Sequence, residues 1–256
     1  MSSSFSQEGN NSVLDREFFS LVVPICNEDG SLRDLHAQFM ESIPRYGGHW
    51  EILYVDDGST DGSSEILSTL KGQGIRVRVI RLKKRFGQAS AMQAAFDRAA
   101  GGTFVTFDAD LEIAVKDIAP LLAEYRLGND AVFGHRFGRP LRVKHLLSAF
   151  GNAVFRLFLR MPVHDMACPL KILDRRFLQG LVLRHSRHRY LPILLKHRGA
   201  RFAEVRVRYL PRRHGRSKYS QVRRVFQVIK DLLILRFYPR HFLENTRRDY
   251  QVESER

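Results

Sequence analysis

The chain has 256 residues, 44% of them hydrophobic, enough for one substantial core and an appendage. Its 42 Lys and Arg against 27 Asp and Glu give a net charge of +15, which indicates a polyanionic partner such as nucleic acid, anionic lipid or a phosphorylated substrate. Two cysteines exclude a disulfide framework, and no apolar run is long enough to cross a membrane, so we expect a soluble or peripherally bound protein in a reducing compartment.

The predicted elements alternate along the chain. Residues 1–15 are polar and predicted to be disordered. Apolar runs bounded by turns predict strands at 18–25, 51–55, 75–82, 103–107, 131–137, 168–173 and 200–210. Apolar residues at helical spacing predict helices within 32–43, 66–70, 86–100, 121–125, 143–159 and 218–237. This alternation predicts an α/β fold, with an open, mostly parallel sheet covered by helices on both faces.

Acidic side chains follow several predicted strands. They are Glu28, Asp56, Asp57, Asp61, Asp108 and Asp110. In open α/β sheets, ligands bind beyond the carboxyl ends of the parallel strands. We therefore expect these acids to gather at one edge of the sheet, although they come from separate segments. That edge is the predicted ligand site.

The segment VTFDADLEI at 105–113 joins an apolar strand to three acids, Asp108, Asp110 and Glu112. Carboxylates at this spacing can share a hard divalent cation, to which nucleotide phosphates supply further oxygens. Mg²⁺ or Mn²⁺ is the expected ion, because the sequence has no Cys or His cluster that would favour zinc. The alternative is that the acids only turn the chain and cap the following helix.

Two further sequence motifs lie upstream, VPICNEDGSL at 23–32 and YVDDGSTDGS at 54–63. Together with VTFDADLE they resemble the inverting family-two glycosyltransferases with the GT-A fold, and more narrowly the polyprenyl-phosphate sugar transferases of the dolichol-phosphate mannosyltransferase type. PRRHGRSKYS at 211–220 resembles the Arg-x-x-Gly-x-Ser-Lys segment that this subgroup places over the donor pyrophosphate. The resemblance covers about residues 18–240 and implies a GT-A domain at 16–216.

The resemblance implies roles for the matched positions. Implied donor-binding residues are Pro24, Cys26, Glu28, Val55, Asp56, Asp57, Asp108, Ala109 and Arg136. Implied metal ligands are Asp108, Asp110 and Glu112, and implied catalytic residues are Asp110, Arg212, Lys218 and Asp165. Of the catalytic set, the two cations act on the leaving diphosphate and Asp165 assists the acceptor; a simple turn cap is the alternative for Asp165.

The chain departs from its family at two positions. Glu112 begins the sequence Glu-Ile-Ala-Val, where relatives usually have a polar residue followed by an acid or His and then Pro, and Arg85 stands where Asn is common. Both departures concern the donor sugar more than the transfer chemistry. Nearby, His164 and Cys168 are close in sequence, but with no second pair in register we do not expect a metal site there.

The expected reaction is inverting transfer of a sugar from a GDP- or UDP-linked donor to a dolichyl or undecaprenyl phosphate. A lipid phosphate is already ionised near neutral pH, whereas a hydroxyl acceptor requires a carboxylate base. The alternatives are a family-two enzyme acting on a saccharide or other hydroxyl, and a fold that binds nucleotide without turnover. Nucleic-acid binding is not expected, because no recognition motif is present and the acidic edge would repel a phosphate backbone.

The C-terminal segment 217–256 is predicted to associate with membranes. Its helix at 218–237 combines an apolar stripe with many Lys and Arg, a pattern typical of a helix that lies on anionic headgroups. We expect a peripheral position on the cytoplasmic face of a membrane, near the lipid acceptor. The alternative is that a small membrane protein anchors the chain.

Overall fold

The computed structural model describes residues 16–138, 153, 156–157, 160–183, 187–211 and 249–256. The strands in this part of the chain are β1 (Phe18–Ile25), β2 (His49–Asp56), β3 (Arg76–Leu82), β4 (Thr103–Thr106), β5 (Ala131–Phe137), β6 (Lys171–Asp174), β7 (Phe202–Arg208) and β8 (Val252–Glu255). The α-helices are α1 (Asp29–Ser42), α2 (Ser63–Thr69), α3 (Gln88–Arg98), α4 (Ile118–Arg126) and α5 (Leu191–His197). The predicted helices at 143–159 and 218–237 lie mostly or wholly outside the described residues, as does the predicted disordered start.

The strands form one sheet in the order β7-β5-β6-β4-β1-β2-β3-β8. Six of them run parallel, while β6 is antiparallel to both β4 and β5, and β8 is antiparallel to β3. The predicted α/β class with a mostly parallel sheet is confirmed. Since β6 runs against β4, its first residue, Lys171, lies beside Thr106, the last residue of β4. The start of β6 therefore reaches the same edge as the ends of the parallel strands.

Two apolar layers hold the sheet between helices. Side chains alternate across a strand, so neighbouring residues of one strand enter different layers. Val22 and Leu53 pack with α3 and α5 on one face, while Leu21 and Ile52 pack with α1 and α4 on the other. The central strands are buried on both faces, which explains why their sequences are continuous apolar runs rather than alternating ones.

The last residues of the chain return to the sheet. Strand β8 pairs with β3, and Glu255 forms an ion pair with Arg78. The Tyr250 hydroxyl donates to Asp97 at 2.6 Å and accepts from Arg98 at 3.0 Å, which fixes this tail to the end of α3. Sequence patterning predicts neither β8 nor α5. The segment predicted at 217–256 thus ends in residues that belong to the main sheet.

Candidate active site

The turns after β1 and β2 are tied together by polar side chains. Asn27 Oδ1 accepts a hydrogen bond from the Thr60 backbone at 2.7 Å, and Asn27 Nδ2 donates to Thr60 Oγ1 at 3.2 Å. Ser63 Oγ accepts from the Glu28 backbone at 2.9 Å. We call this pair of turns, residues 26–29 and 56–63, the latch. It holds two of the predicted donor-binding phrases in one rigid unit.

Asp56 and Asp57 are buried, and the carboxylate of each accepts hydrogen bonds from neighbouring parts of the chain. Asp56 accepts from the Ser59 backbone at 2.9 Å and from the Ser64 hydroxyl. Asp57 accepts from the Phe86 and Gly87 backbones at 2.6 and 2.8 Å. Burial raises the pKa of Asp57, although these two N–H groups oppose the shift. Asp56 therefore stabilises the turn after β2, whereas Asp57 joins the latch to the loop before α3.

The remaining predicted donor residues after β1 and β2 differ in exposure. Val55 is fully buried in the apolar layer, so it is not exposed to a ligand in this structure. Pro24, Cys26 and Glu28 are partly exposed at the edge of the sheet. The Glu28 carbonyl accepts from the Leu32 backbone at 3.1 Å and so starts α1.

The acidic loop after β4 is sharply bent. Leu111 has a φ of +55°, a left-handed conformation that costs a side-chain-bearing residue roughly 1–2 kcal/mol. Asp110 Oδ1 accepts from the Glu112 backbone at 3.2 Å across this bend. Ala109 and Leu111 are buried, whereas Asp108 and Glu112 remain partly exposed. The bend thus presents carboxylates at the sheet edge while its apolar residues stay in the core.

Two cations lie beside these carboxylates. Lys171 is buried, and its ammonium donates to the Cys168 carbonyl; burial lowers the pKa of Lys171. Burial and the neighbouring Asp110 raise the pKa of Asp108 to about 7, against the opposing charges of Lys171 and Arg136. Carboxylates that lie close together resist simultaneous ionisation, and a divalent cation relieves that repulsion.

Arg136 and Asp165 form a buried ion pair. Arg136 Nε donates to Asp165 Oδ2 at 2.7 Å, and Arg136 Nη2 donates to Asp165 Oδ1 at 2.9 Å. Burial alone would lower the pKa of Arg136, but the paired carboxylate raises it. Bidentate pairing of this kind fixes both side chains. Together with Asp108, Asp110 and Lys171 this pair forms what we call the charged centre.

The segment after β7 reaches the acidic loop. The Leu210 backbone donates to the Glu112 carbonyl at 2.8 Å, and the Tyr209 backbone donates to the Phe137 carbonyl at 2.9 Å. Arg212 and Lys218, the predicted leaving-group residues, lie outside the described residues. The basic phrase that contains them begins directly after this hydrogen bond.

Sequence reasoning missed two residues of the site. Gln88 Nε2 donates to Asp108 Oδ1 at 2.8 Å from the first turn of α3, and Lys171 comes from an antiparallel strand inserted beside β4. The sequence does show Gln88 near the start of the helix predicted at 86–100, so its place at the edge of the sheet could have been inferred. The position of Lys171 depends on strand order, which no local pattern specifies.

The donors at the acidic loop are of the type that suits a hard cation, although the described structure does not gather all three carboxylates within 4.8 Å of one another. Asp108, Asp110 and Glu112 offer carboxylate oxygens, and no thiol or imidazole lies among them. Oxygen-only sets suit Mg²⁺ or Mn²⁺ rather than zinc. The raised pKa of Asp108 agrees with a site in which Asp108 and Asp110 repel each other, because a bound cation would reduce that repulsion.

Comparison with known proteins assigns the chain to a family. The model described as Glycosyl transferase family 2 matches residues 20–179. The chain belongs to glycosyl transferase family 2. The predicted membership of the family-two glycosyltransferases is confirmed, and the chain is a glycosyltransferase.

Two curated relatives of this family-two chain are named as polyprenyl-phosphate sugar enzymes. It is 34% identical over 239 residues to dodecaprenyl-phosphate galacturonate synthase of Rhizobium johnstonii, covering 91% of this chain and 70% of that protein. It is 31% identical over 206 residues to undecaprenyl-phosphate 4-deoxy-4-formamido-L-arabinose transferase of Edwardsiella ictaluri, covering 80% of this chain and 63% of that protein. The chain spans less than two thirds of the second relative.

Solved structures show the fold of this family-two glycosyltransferase. Glucosyl-3-phosphoglycerate synthase from Mycobacterium tuberculosis, solved with phosphoglyceric acid, has a TM-score of 0.65 at 20% identity, over 92% of this chain and 85% of that one. TarS 1-349 from S. aureus, solved with UDP-GlcNAc, has a TM-score of 0.60 at 19% identity, over 85% and 66%. The synthase with Mn²⁺, UDP-glucose and glycerol 3-phosphate gives 0.60 at 17% identity, over 92% and 84%. The predicted GT-A architecture is confirmed.

Across the described segments, every helix is too short or too polar to cross a bilayer.

Proposed function

We propose that this glycosyltransferase moves a sugar, with inversion, from a nucleotide-diphosphate donor to a polyprenyl phosphate, and that it depends on Mg²⁺ or Mn²⁺. The observation that supports the proposal is the charged centre, in which Asp108 lies beside Asp110 and interacts with the cations Lys171 and Arg136. The names of the relatives supply the acceptor class.

The latch and the loop before α3 would form the donor pocket. Asp57 joins these two segments through two backbone hydrogen bonds, and Gly58 packs so closely against Lys84 and Arg85 that an added Cβ would lie 2.6 Å from the Arg85 nitrogen. A rigid wall of this kind can bind a nucleoside without paying to order its loops. Pro24, Cys26 and Glu28 lie along its edge as further donor contacts.

The acidic loop would hold the cation. Asp110 and Asp108 are the proposed principal ligands, and Glu112 is the proposed third. A bound cation would neutralise charge on the leaving diphosphate. The hydrogen bond from Gln88 orients the Asp108 carboxylate, and the bend at Leu111 orients that of Asp110.

The Arg136–Asp165 pair favours a phosphate acceptor over a hydroxyl. A hydroxyl nucleophile needs a carboxylate that is free to take a proton, whereas a phosphate is already ionised. Both oxygens of Asp165 accept from Arg136, so the carboxylate is engaged rather than poised as a base. In the proposed role, Asp165 holds Arg136 in place, and the guanidinium faces the phosphates of donor or acceptor.

The basic phrase at 211–220 would complete the site. Leu210 is hydrogen-bonded to Glu112, which brings the start of this phrase to the acidic loop and supports the proposed action of Arg212 and Lys218 on the diphosphate. The basic segment that follows would bind anionic headgroups on the cytoplasmic face of a membrane, alone or with a small anchoring protein.

A donor and acceptor panel tests this function. The purified chain is mixed with Mg²⁺, a series of UDP- and GDP-sugars, and detergent-solubilised polyprenyl phosphate, and release of nucleoside diphosphate is measured. We expect release with at least one donor, only when the lipid phosphate is present. Release with a glycan but not with the lipid would instead establish the saccharide-acceptor alternative. Omission of the metal should abolish the signal.

A further inference from the structure

Three metal-binding side chains meet at the end of the sheet, outside the charged centre. They are His135 on β5, His164 on the segment before β6, and Glu204 on β7, and one ligand atom from each lies within 4.8 Å of the others. His164 Nδ1 is 2.7 Å from Glu204 Oε2, and His135 Nδ1 is 3.9 Å from the same oxygen. The two imidazole rings stack with centroids 5.3 Å apart and an interplanar angle of 7°.

The cluster is held by the backbone as well as by side chains. Glu204 Oε1 accepts from the His164 backbone at 2.7 Å and from the Asp165 backbone at 3.1 Å, so Glu204 Oε2 is left facing the rings. Glu204 is largely buried, with 14% of its side chain exposed, whereas 49% of the His164 side chain is exposed. A fixed carboxylate thus stands behind two accessible imidazoles.

Cys168 does not belong to this cluster. It is fully buried, and burial raises the pKa of its thiol to about 11, so the thiolate that a metal requires is disfavoured. The partners of His164 come instead from two neighbouring strands that the sequence does not bring together.

We propose that His135, His164 and Glu204 form a binding site for a late first-row divalent cation, with Zn²⁺ as its natural occupant. Two imidazoles and one carboxylate are a common three-ligand zinc set, with a fourth position open to water or a ligand. Tetrahedral zinc with bonds near 2.0–2.1 Å needs donor atoms about 3.4 Å apart, between the shortest and longest separations here. Imidazole donors disfavour Mg²⁺, so the site differs in selectivity from the oxygen-only acidic loop.

Zinc at this site would join β5, β7 and the segment that carries Asp165. The bound ion would tie together β5 and β7, which now meet through strand pairing, and the segment at His164 and Asp165, which is hydrogen-bonded to Glu204. Metal that binds the folded state and not the unfolded chain raises stability by an amount that grows with the logarithm of the metal concentration divided by its dissociation constant. The proposal does not rest on the reaction proposed above, since it concerns different residues and a different metal.

Zinc binding to the full chain, free of any affinity tag, tests the proposal. Zn²⁺ is titrated against a chromophoric chelator in the presence of excess Mg²⁺, and the melting temperature is followed in parallel. We expect one equivalent of Zn²⁺ that excess Mg²⁺ does not displace, with a rise in melting temperature. Co²⁺ in the same site should give visible absorption bands typical of a tetrahedral centre.

Substitutions locate the bound ion. His135→Gln, His164→Gln and Glu204→Gln should each weaken zinc affinity by at least about 100-fold, because even loss of an outer partner of a zinc ligand costs 10- to 100-fold. Matched controls are His49→Gln, an exposed histidine at the start of β2, and Asp110→Asn in the acidic loop; both should bind zinc as the wild type does. Circular dichroism in EDTA checks that each variant folds.

Three results would overturn the proposal. The wild type could fail to bind zinc in the presence of Mg²⁺, the three cluster variants could bind it as tightly as the wild type, or Asp110→Asn could abolish binding. The second result would place the ion at other histidines of the chain, and the third would place it at the acidic loop. Each is independent of whether sugar transfer is observed.

Discussion

Asp61 in the latch and Asp108 in the charged centre lie on the same edge of the sheet, and their surroundings shift their pKa values in opposite directions. In the latch, Asp61 accepts from the backbones of Ser63 and Asp29 at 3.0 and 3.3 Å. Although burial opposes it, hydrogen bonding from Ser63 holds the pKa of Asp61 below its ordinary value. In the charged centre, burial and like charge raise the pKa of Asp108 to about 7.

This difference distinguishes acids that stabilise the fold from acids that are proposed to act on a ligand. A carboxylate that receives backbone N–H donors is satisfied by the fold and stabilises a turn. A carboxylate beside another acid is repelled by it, and a cation or a proton relieves that repulsion; such perturbed groups concentrate at functional sites. The latch therefore positions a ligand, whereas the charged centre is built to act on one. Substitutions on the two sides should have different consequences.

The largest expected effect is on turnover. Asp110→Asn should reduce sugar transfer at least about 100-fold, the scale seen when one group that stabilises developing charge is removed. Asp61→Asn in the latch is the matched control and should leave turnover close to that of the wild type, because the amide oxygen can still accept the 3.0 Å bond from the Ser63 backbone and only the longer bond from Asp29 is lost. Initial rates of nucleoside diphosphate release measure both. Equal losses of turnover in the two variants would show that the latch and the charged centre do not differ in their contribution to the reaction.

The next effect is on stability and concerns the ion pair in the charged centre. Asp165→Ala leaves Arg136, whose side chain is 8% exposed, as an unpaired buried charge, which costs about 3–5 kcal/mol. Removing both charges with Arg136→Met and Asp165→Leu should recover most of that loss. Urea unfolding measures the free energies.

An exposed ion pair provides the control for this loss. Arg45 and Glu41 on the protein surface are 72% and 68% exposed, and Glu41→Ala should cost under about 1 kcal/mol. A similar cost for Asp165→Ala and Glu41→Ala would show that the buried pair is not a structural element.

The latch was more accessible to sequence reasoning than the charged centre was. Strand β1 occupies residues 18–25, as its apolar run predicts, and the acids of the latch follow their strands directly in sequence. A parallel sheet places such turns on one edge whatever the order of its strands. Local sequence patterns therefore predicted the strands before the latch and the edge of the sheet at which its turns lie.

The charged centre depends on contacts between distant segments. An apolar run predicted a strand near Lys171, but only its antiparallel insertion beside β4 brings the ammonium to Asp108. The pairing of Arg136 with Asp165, and that of His164 with Glu204, are set by strand order in the same way. Non-local pairing leaves no periodic signal in the sequence, so these groups appear only in the structure.

A smaller effect is expected for the latch itself. Asn27 combines a left-handed backbone, φ +58°, with hydrogen bonds to Thr60, so Asn27→Ala should lose about 1–3 kcal/mol. Asn27→Gly keeps the backbone conformation at no steric cost and should lose less than the alanine variant. Thermal unfolding of the two variants separates backbone strain from hydrogen bonding. A larger loss for glycine would mean that strain at this turn contributes nothing.

The last expected effect is a pH dependence of stability in the metal-free protein. The pKa of Asp108 is about 7 in the folded chain, above its ordinary 3.8, so the fold binds a proton that the unfolded chain releases. The penalty on the ionised form is complete above pH 7 and disappears as pH falls below the unfolded value. His188 opposes this trend, because burial holds its pKa well below 6.5 and stability falls as the unfolded histidine gains a proton.

Comparison with Asp108→Asn isolates the carboxyl group from His188 and all other titrating groups. Asparagine keeps an oxygen for Gln88 and carries no charge, so the variant should be more stable than the metal-free wild type at pH 8, and that advantage should shrink as the pH falls toward 5. Saturating Mg²⁺ should remove the advantage at pH 8, because the cation replaces the proton beside Asp110. Melting temperatures at the two pH values, with EDTA or Mg²⁺, measure the difference. An advantage that is the same at both pH values would show that Asp108 is satisfied by the fold, as the acids of the latch are.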